Sequence, residues 1–184
     1  LELTDLIQLA RGGSKDAADK LFAEVYSNLH RIALKQLRDH PAPMGATSLV
    51  HEAYFRLSRP ESLGQQDRHH FYAVAARAMR QILIDRARQR LAQKRGGDAD
   101  VTDLDGRQHE AMAEREGNHM LALDRALTEL QALDARLAQL VELRFFGGLT
   151  LDEAADAAAV SRTTVKRDWR RARAWLHAAL GEAS

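Results

Sequence analysis

The chain has 184 residues, 45% of them hydrophobic but only 5% aromatic, with 27 Lys and Arg set against 26 Asp and Glu and no cysteine. That length holds one compact domain or two small ones. The missing cysteines exclude disulfides, iron–sulfur clusters and thiolate zinc sites, and no apolar run reaches the ~18 residues of a membrane span. No signal-peptide pattern opens the chain, so a cytoplasmic protein without membrane insertion is expected.

In chain order, Ser14 is placed to cap a helix carrying Phe22, Val25, Leu29 and Ile32 at helical spacing. Pro41, Pro43 and Gly45 end it. A second helix is predicted from about Thr47 to Arg59, with Leu49, Val50, Ala53, Tyr54 and Leu57 on its apolar side. A polar loop, Pro60–Arg68, leads into a long helix from about His69 to Lys94. Its stripe is Phe71, Ala75, Ala78 and Ile82, and its C-terminal part is densely basic. From Gly96 to about Glu116 the chain is polar and acidic and reads as a flexible linker. Beyond it, Leu123, Leu127 and Leu130 form one helical stripe, and Leu137, Leu140 and Val141 another. The run Phe145-Phe146-Gly147-Gly148 stops that helix, the glycines supplying a left-handed cap. Thr150 and Glu153 form a capping box for a short helix to about Ala158. After a turn through Val160, Ser161 caps a last helix to about Ala179. No stretch alternates with period two. The expected fold is all-α, with two small helical domains, 1–95 and 117–184, joined by the acidic linker 96–116.

Net charge by segment departs sharply from the +1 total. Residues 77–95 carry seven bases against Asp85, a net +6, and residues 161–173 carry six against Asp168, a net +5. The linker holds −5 and residues 117–160 hold −4. Two basic helices separated by acidic sequence suit a polyanion partner, although a basic helix face can also be simply solvated.

Residues 150–176 have the pattern of a helix-turn-helix. Val165, Trp169, Ala172 and Leu176 share the buried face of the final helix, and Arg162, Lys166, Arg170 and Arg173 are displayed on its outer face at the same offsets, with Arg167 and Arg171 flanking that stripe. A major groove admits one helix, whose N-terminal residues meet base edges while cations clamp phosphates. Arg162, Thr163, Thr164, Lys166 and Arg167 stand at that leading end.

The segment from Leu149 to Arg173, with its Val-Ser, Thr-Val and Arg-Ala-Arg pattern, resembles the C-terminal domain of bacterial sigma factors of the extracytoplasmic-function class. Ala159 stands where that class commonly has a turn glycine. Leu49–Leu57 is similar to the helix that docks on the polymerase clamp. Phe71–Asp85 and the Arg-rich end that follows resemble the helix that engages the melted promoter element. The resemblance implies a sigma-2-like bundle and a sigma-4-like helix-turn-helix, no enzymatic activity, no cofactor and no metal. The implied partners are the RNA polymerase core, through clamp and flap, and promoter DNA; an anti-sigma protein stays an open question. Lys166, Arg167, Arg170 and Arg171 fall at the class's upstream (−35) contact positions. Gln65, Arg68, His69 and His70 precede or open the helix that forms the pocket for an unstacked downstream (−10) base, and Arg77, Arg80, Gln81, Arg86 and Arg88 would supply the phosphate track and polar contacts. Val74 replaces a common Trp, and Phe71 joins the core stripe. Leu49, His51, Glu52 and Phe55 are the implied polymerase contacts.

The class usually opens its clamp-binding helix with acidic residues, but here Gly45-Ala46-Thr47-Ser48 stands in their place. A phosphate on Thr47 or Ser48 would restore about −1.5 to −2 charge at a helix N-terminus that favours it. A Ser/Thr protein kinase would then be a further partner. The competing reading makes both residues ordinary N-caps. A stand-alone helix-turn-helix regulator is the alternative function. The eight histidines show no zinc-protease spacing, since Phe55 stands where His51-Glu52 would need a second His. Asp98, Asp100, Asp103 and Asp105 lack the closing Glu of a calcium loop. As a solvated acidic tether they could instead cover the basic helices.

Overall fold

A computed structural model of the chain describes residues 3–39, 45–57, 68–96 and 104–181. Among these residues every regular element is a helix. The order is α1 (Leu3–Arg11), α2 (Lys15–Asp39), α3 (Ala46–Leu57), α4 (Arg68–Gly96), α5 (Leu104–Leu133), α6 (Ala135–Phe145), α7 (Leu151–Ala157) and α8 (Arg162–Gly181). The all-α expectation holds.

In the first half, α2 packs between α1 and α3, and α3 packs on α4. Ser14 caps α2 by accepting from the Ala17 amide at 3.3 Å. Leu29 and Ile32 from α2, Leu49 and Val50 from α3, and Met79 and Ile82 from α4 are fully buried. Phe71 is buried as its stripe predicts. Phe22 is not: its ring is about half-exposed and meets Tyr54 edge-on at 5.1 Å.

The expected linker is largely helix. α4 continues through Gly96 and α5 begins at Leu104, so 97–103, with Asp98, Asp100 and Asp103, lie outside the described residues. The stretch from Glu110 to Glu116 is polar, but Ala, Met, Glu and Arg are strong helix formers, and helix propensity decided its state. α5 runs antiparallel along α4. Leu91 packs on Gly117, while Arg80, further back along α4, reaches Asp124 and Thr128.

α4 also packs against α6 and α7, and buried residues from both halves belong to one core. Asp134 separates α5 from α6 by capping the latter, its carboxylate accepting from the Leu137 amide at 3.2 Å. Gly147 and Gly148 then end α6. Gly148 adopts φ +64, open to glycine at little cost, and its carbonyl accepts from Lys35 Nζ of α2 at 2.9 Å. That bond ties the turn before α7 to the first half of the chain.

Candidate nucleic-acid interface

α7 and α8 are joined by the tight turn that the sequence predicts. Thr150 Oγ1 accepts from the Glu153 amide at 3.2 Å, and the Glu153 carboxylate accepts from the Thr150 amide at 2.7 Å, completing the capping box. Burial pushes the Glu153 carboxyl up, but the two bonds with Thr150 and the charges of Arg31 and Lys35 outweigh it, holding its pKa below the ordinary value. Ser161 opens α8 by accepting from the Thr164 amide at 3.1 Å.

Val165, Ala172 and Leu176 are buried under α8. Trp169 is half-buried, with the Arg144 guanidinium stacked 4.9 Å from its ring centre. Burial lowers the pKa of Arg144 from its usual value, against the pull of Glu153, and the Leu149 carbonyl accepts from its Nη1 at 2.8 Å. On the solvent side of α8 Arg162, Thr163, Lys166, Arg167, Arg170, Arg171 and Arg173 are all exposed, while Thr164 is half-buried beside the Ser161 cap. Nearby carboxylates are loosely held: Asp152 lies 3.4 Å from Arg162 and Asp134 lies 3.8 Å from Arg171. Exposed pairs of this kind contribute well under about 1 kcal/mol, so they yield readily to a phosphate. Asp168 was counted with this basic run, yet its side chain is only 3% exposed and sits 3.1 Å from Arg136 of α6. It fastens α8 to its own domain.

The second basic segment is arranged differently. Arg80 of α4 spends all three guanidinium nitrogens inside the molecule. Nε donates to Asp124 Oδ1 at 2.9 Å, Nη1 to Glu142 Oε1 at 2.6 Å, and Nη2 to the Asp124 carbonyl and Thr128 Oγ1 at 2.9 and 3.1 Å. Its side chain is 13% exposed and that of Glu142 is 6%. Arg77 and Arg88 are exposed but lean toward the same acids, at 3.7 Å from Glu142 and 3.6 Å from Asp124. Arg86 is half-buried and donates to Glu52 at 2.7 Å. Gln81 donates to Asp85 at 2.8 Å. Burial pushes the Asp85 carboxyl up, and hydrogen bonds from Arg56 and Gln81 bring it below its usual range.

A family model described as ECF sigma factor matches residues 1–182. The chain belongs to the ECF sigma factor family. No curated protein and no solved structure matches it. A sigma factor supports transcription initiation, with RNA polymerase core and promoter DNA as partners, and the family is not a class of enzymes. Among the described residues no helix is long and apolar enough to cross a membrane.

Measured against the residues expected from sequence, this sigma factor presents the upstream set together on one open face of α8. The downstream set is scattered. Gln65 lies outside the described residues, Arg68 and His69 begin α4, and His70 is exposed. Arg80, expected as a surface contact, has a side chain only 13% exposed and is paired in this structure with Asp124 and Glu142, acids that come from far along the chain. Of the expected polymerase contacts, His51 and Phe55 are exposed, Phe55 at 73%. Leu49 is 0% exposed and acts as core, together with the equally buried Val50 and Ala53 of the same helix. Glu52 is held by Arg56 at 3.2 Å and Arg86 at 2.7 Å. The residues missed from sequence are Asp124, Glu142, Arg136 and Lys35. For the two acids the only signal was the −4 charge of residues 117–160, which gives no positions, and nothing in the sequence marked Arg136 or Lys35.

The N-cap reading of Thr47 and Ser48 fails. The Gly45 carbonyl accepts from the Leu49 amide at 3.3 Å, which makes Gly45 the cap residue and puts Thr47 and Ser48 inside the first turn. Both are exposed, and that turn has no acidic residue.

Proposed function

We propose that this sigma factor reads duplex upstream promoter DNA with α8, captures melted downstream DNA with α4 and the residues before it, and docks on the polymerase clamp through α3. The observation that carries the proposal is the open basic face of α8, set on a capped helix-turn-helix in a chain of this family. Arg162, Thr163, Thr164, Lys166 and Arg167 would approach base edges, and Arg170, Arg171 and Arg173 would neutralise phosphates. His51 and Phe55 would meet the clamp. Transcription in vitro tests the reading: the protein should direct initiation by core polymerase from its promoters, whereas a stand-alone regulator, which family membership disfavours, would bind duplex DNA and direct none.

Control by phosphorylation is a second part of the proposal, favoured by Thr47 and Ser48. Both hydroxyls are exposed at the positive end of a helix that lacks first-turn acids. A phosphate there would gain from the helix dipole and from free amides, and it would supply the negative charge a basic clamp surface selects. Core-polymerase pull-down should be weak for the unmodified protein and strong for Thr47→Glu or the phosphorylated form. Equal capture of both would end the switch idea.

A further inference from the structure

The two basic helices differ in how they stand in the free protein. The cations of α8 are exposed, and α8 packs on α5, α6 and α7. The centre of the α4 face is closed: Arg80 is enclosed by Asp124 and Glu142, and a phosphate approaching it would meet two carboxylates first. Arg77 and Arg88 flank that point and are drawn to the same acids. Two further ties hold the C-terminal half against α2, from Lys35 to the Gly148 carbonyl and from Arg31 to Glu153 at 3.6 Å.

We infer that Asp124 and Glu142 form an internal latch that occupies the single-strand-binding face of α4 while leaving the duplex-binding face of α8 open. The inference rests on the proposed role of α4. Closure and capture of melted DNA compete for the same guanidinium, so they exclude each other. Core polymerase opens the latch only by binding the open form more tightly. Duplex reading by α8 needs no opening. The acids responsible lie in folded helices α5 and α6, in place of the tether residues that the sequence suggested as a cover.

The test compares wild type with the isosteric double variant Asp124→Asn/Glu142→Gln, using short labelled single-stranded and duplex DNA of mixed sequence at one salt concentration. Single-strand affinity should rise about tenfold and duplex affinity by less than about twofold, since only the α4 contacts are released. A control variant, Glu129→Gln/Asp156→Asn, removes the same charge from exposed positions and should leave the ratio unchanged. An equal rise in both variants overturns the latch, as does no rise in a cooperatively unfolding variant when the α4–α5 distance read by spin labels is also unchanged on binding. If the variant does not fold, the wild-type latch is read directly. With no native cysteine, spin labels on Gln89→Cys and Gln131→Cys report the α4–α5 spacing. The distance should lengthen on binding core polymerase and promoter, and an unchanged distance overturns the latch. Lengthening without any gain in single-strand binding leaves the latch standing and removes α4 as the DNA-capturing helix.

Discussion

Replacing Ala159 by glycine should stabilise the protein. Ala159 has φ +51, in the left-handed region, between α7 and α8. Its amide donates to the Asp156 carbonyl at 3.1 Å and the Val160 amide donates to Ala155 at 3.0 Å, the paired bonds of a Schellman cap. The turn after α1 has the same pair of bonds with Gly13 at the equivalent position, at φ +90. A residue with a Cβ loses roughly 1–2 kcal/mol in this conformation. Glycine removes that strain but gains about 0.4–1 kcal/mol of freedom in the unfolded chain. The net expectation is a gain of about 0.5–1 kcal/mol, or about 1–4 °C in Tm for a chain of this size. Urea unfolding checks it, with a higher midpoint at an unchanged slope. Ala154→Gly is the control, because Ala154 is buried in the middle of α7 and the same change there should cost about 1 kcal/mol. A fall in midpoint for Ala159→Gly, or equal signs for the two variants, would refute the assignment of strain to the turn.

Four other outcomes are expected. Gly147→Ala should lower stability by about 1–3 kcal/mol in thermal melts, because its Cβ would lie 2.6 Å from the Leu143 carbonyl oxygen and backbone must shift. Thr150→Ala should cost about 1 kcal/mol through the lost cap. Glu153 has a depressed pKa when folded, so its stabilisation is present above the ordinary carboxyl value of 4.5 and is lost as pH falls through the folded value; Glu153→Gln should shallow the acid limb of a stability–pH profile. Arg170→Ala should weaken duplex upstream DNA, reduce the salt slope of binding by about 1, and leave core-polymerase binding intact.

Local rules carried much of this structure. The Thr150–Glu153 box, the Ser161 cap and the stripes Leu123–Leu130 and Leu137–Val141 depend on neighbours within a turn or two, and they stand where the pattern predicts. So does the open basic face of α8, since a helix with one buried stripe must show its other side. Long-range pairing was not legible. Arg80 and Asp124 are 44 residues apart and Arg80 and Glu142 are 62 apart, and no periodicity links them. Asp168 looked like one acid among bases because a charge count cannot see burial. The part of the acidic tether from Leu104 onward is helix for a different reason: polarity signals solvent exposure, and an exposed helix satisfies it as well as a loop.

The bond from Lys35 to Gly148 joins residues 113 positions apart. A contact that distant has a consequence for synthesis on the ribosome. The N-terminal helices emerge first, and they wait with part of their apolar surface uncovered until α6 and the turn beyond it have been made. Such contacts slow the final folding step. A chain cut before α6 should therefore aggregate or be captured by a chaperone, and the N-terminal half is a poor unit to produce alone.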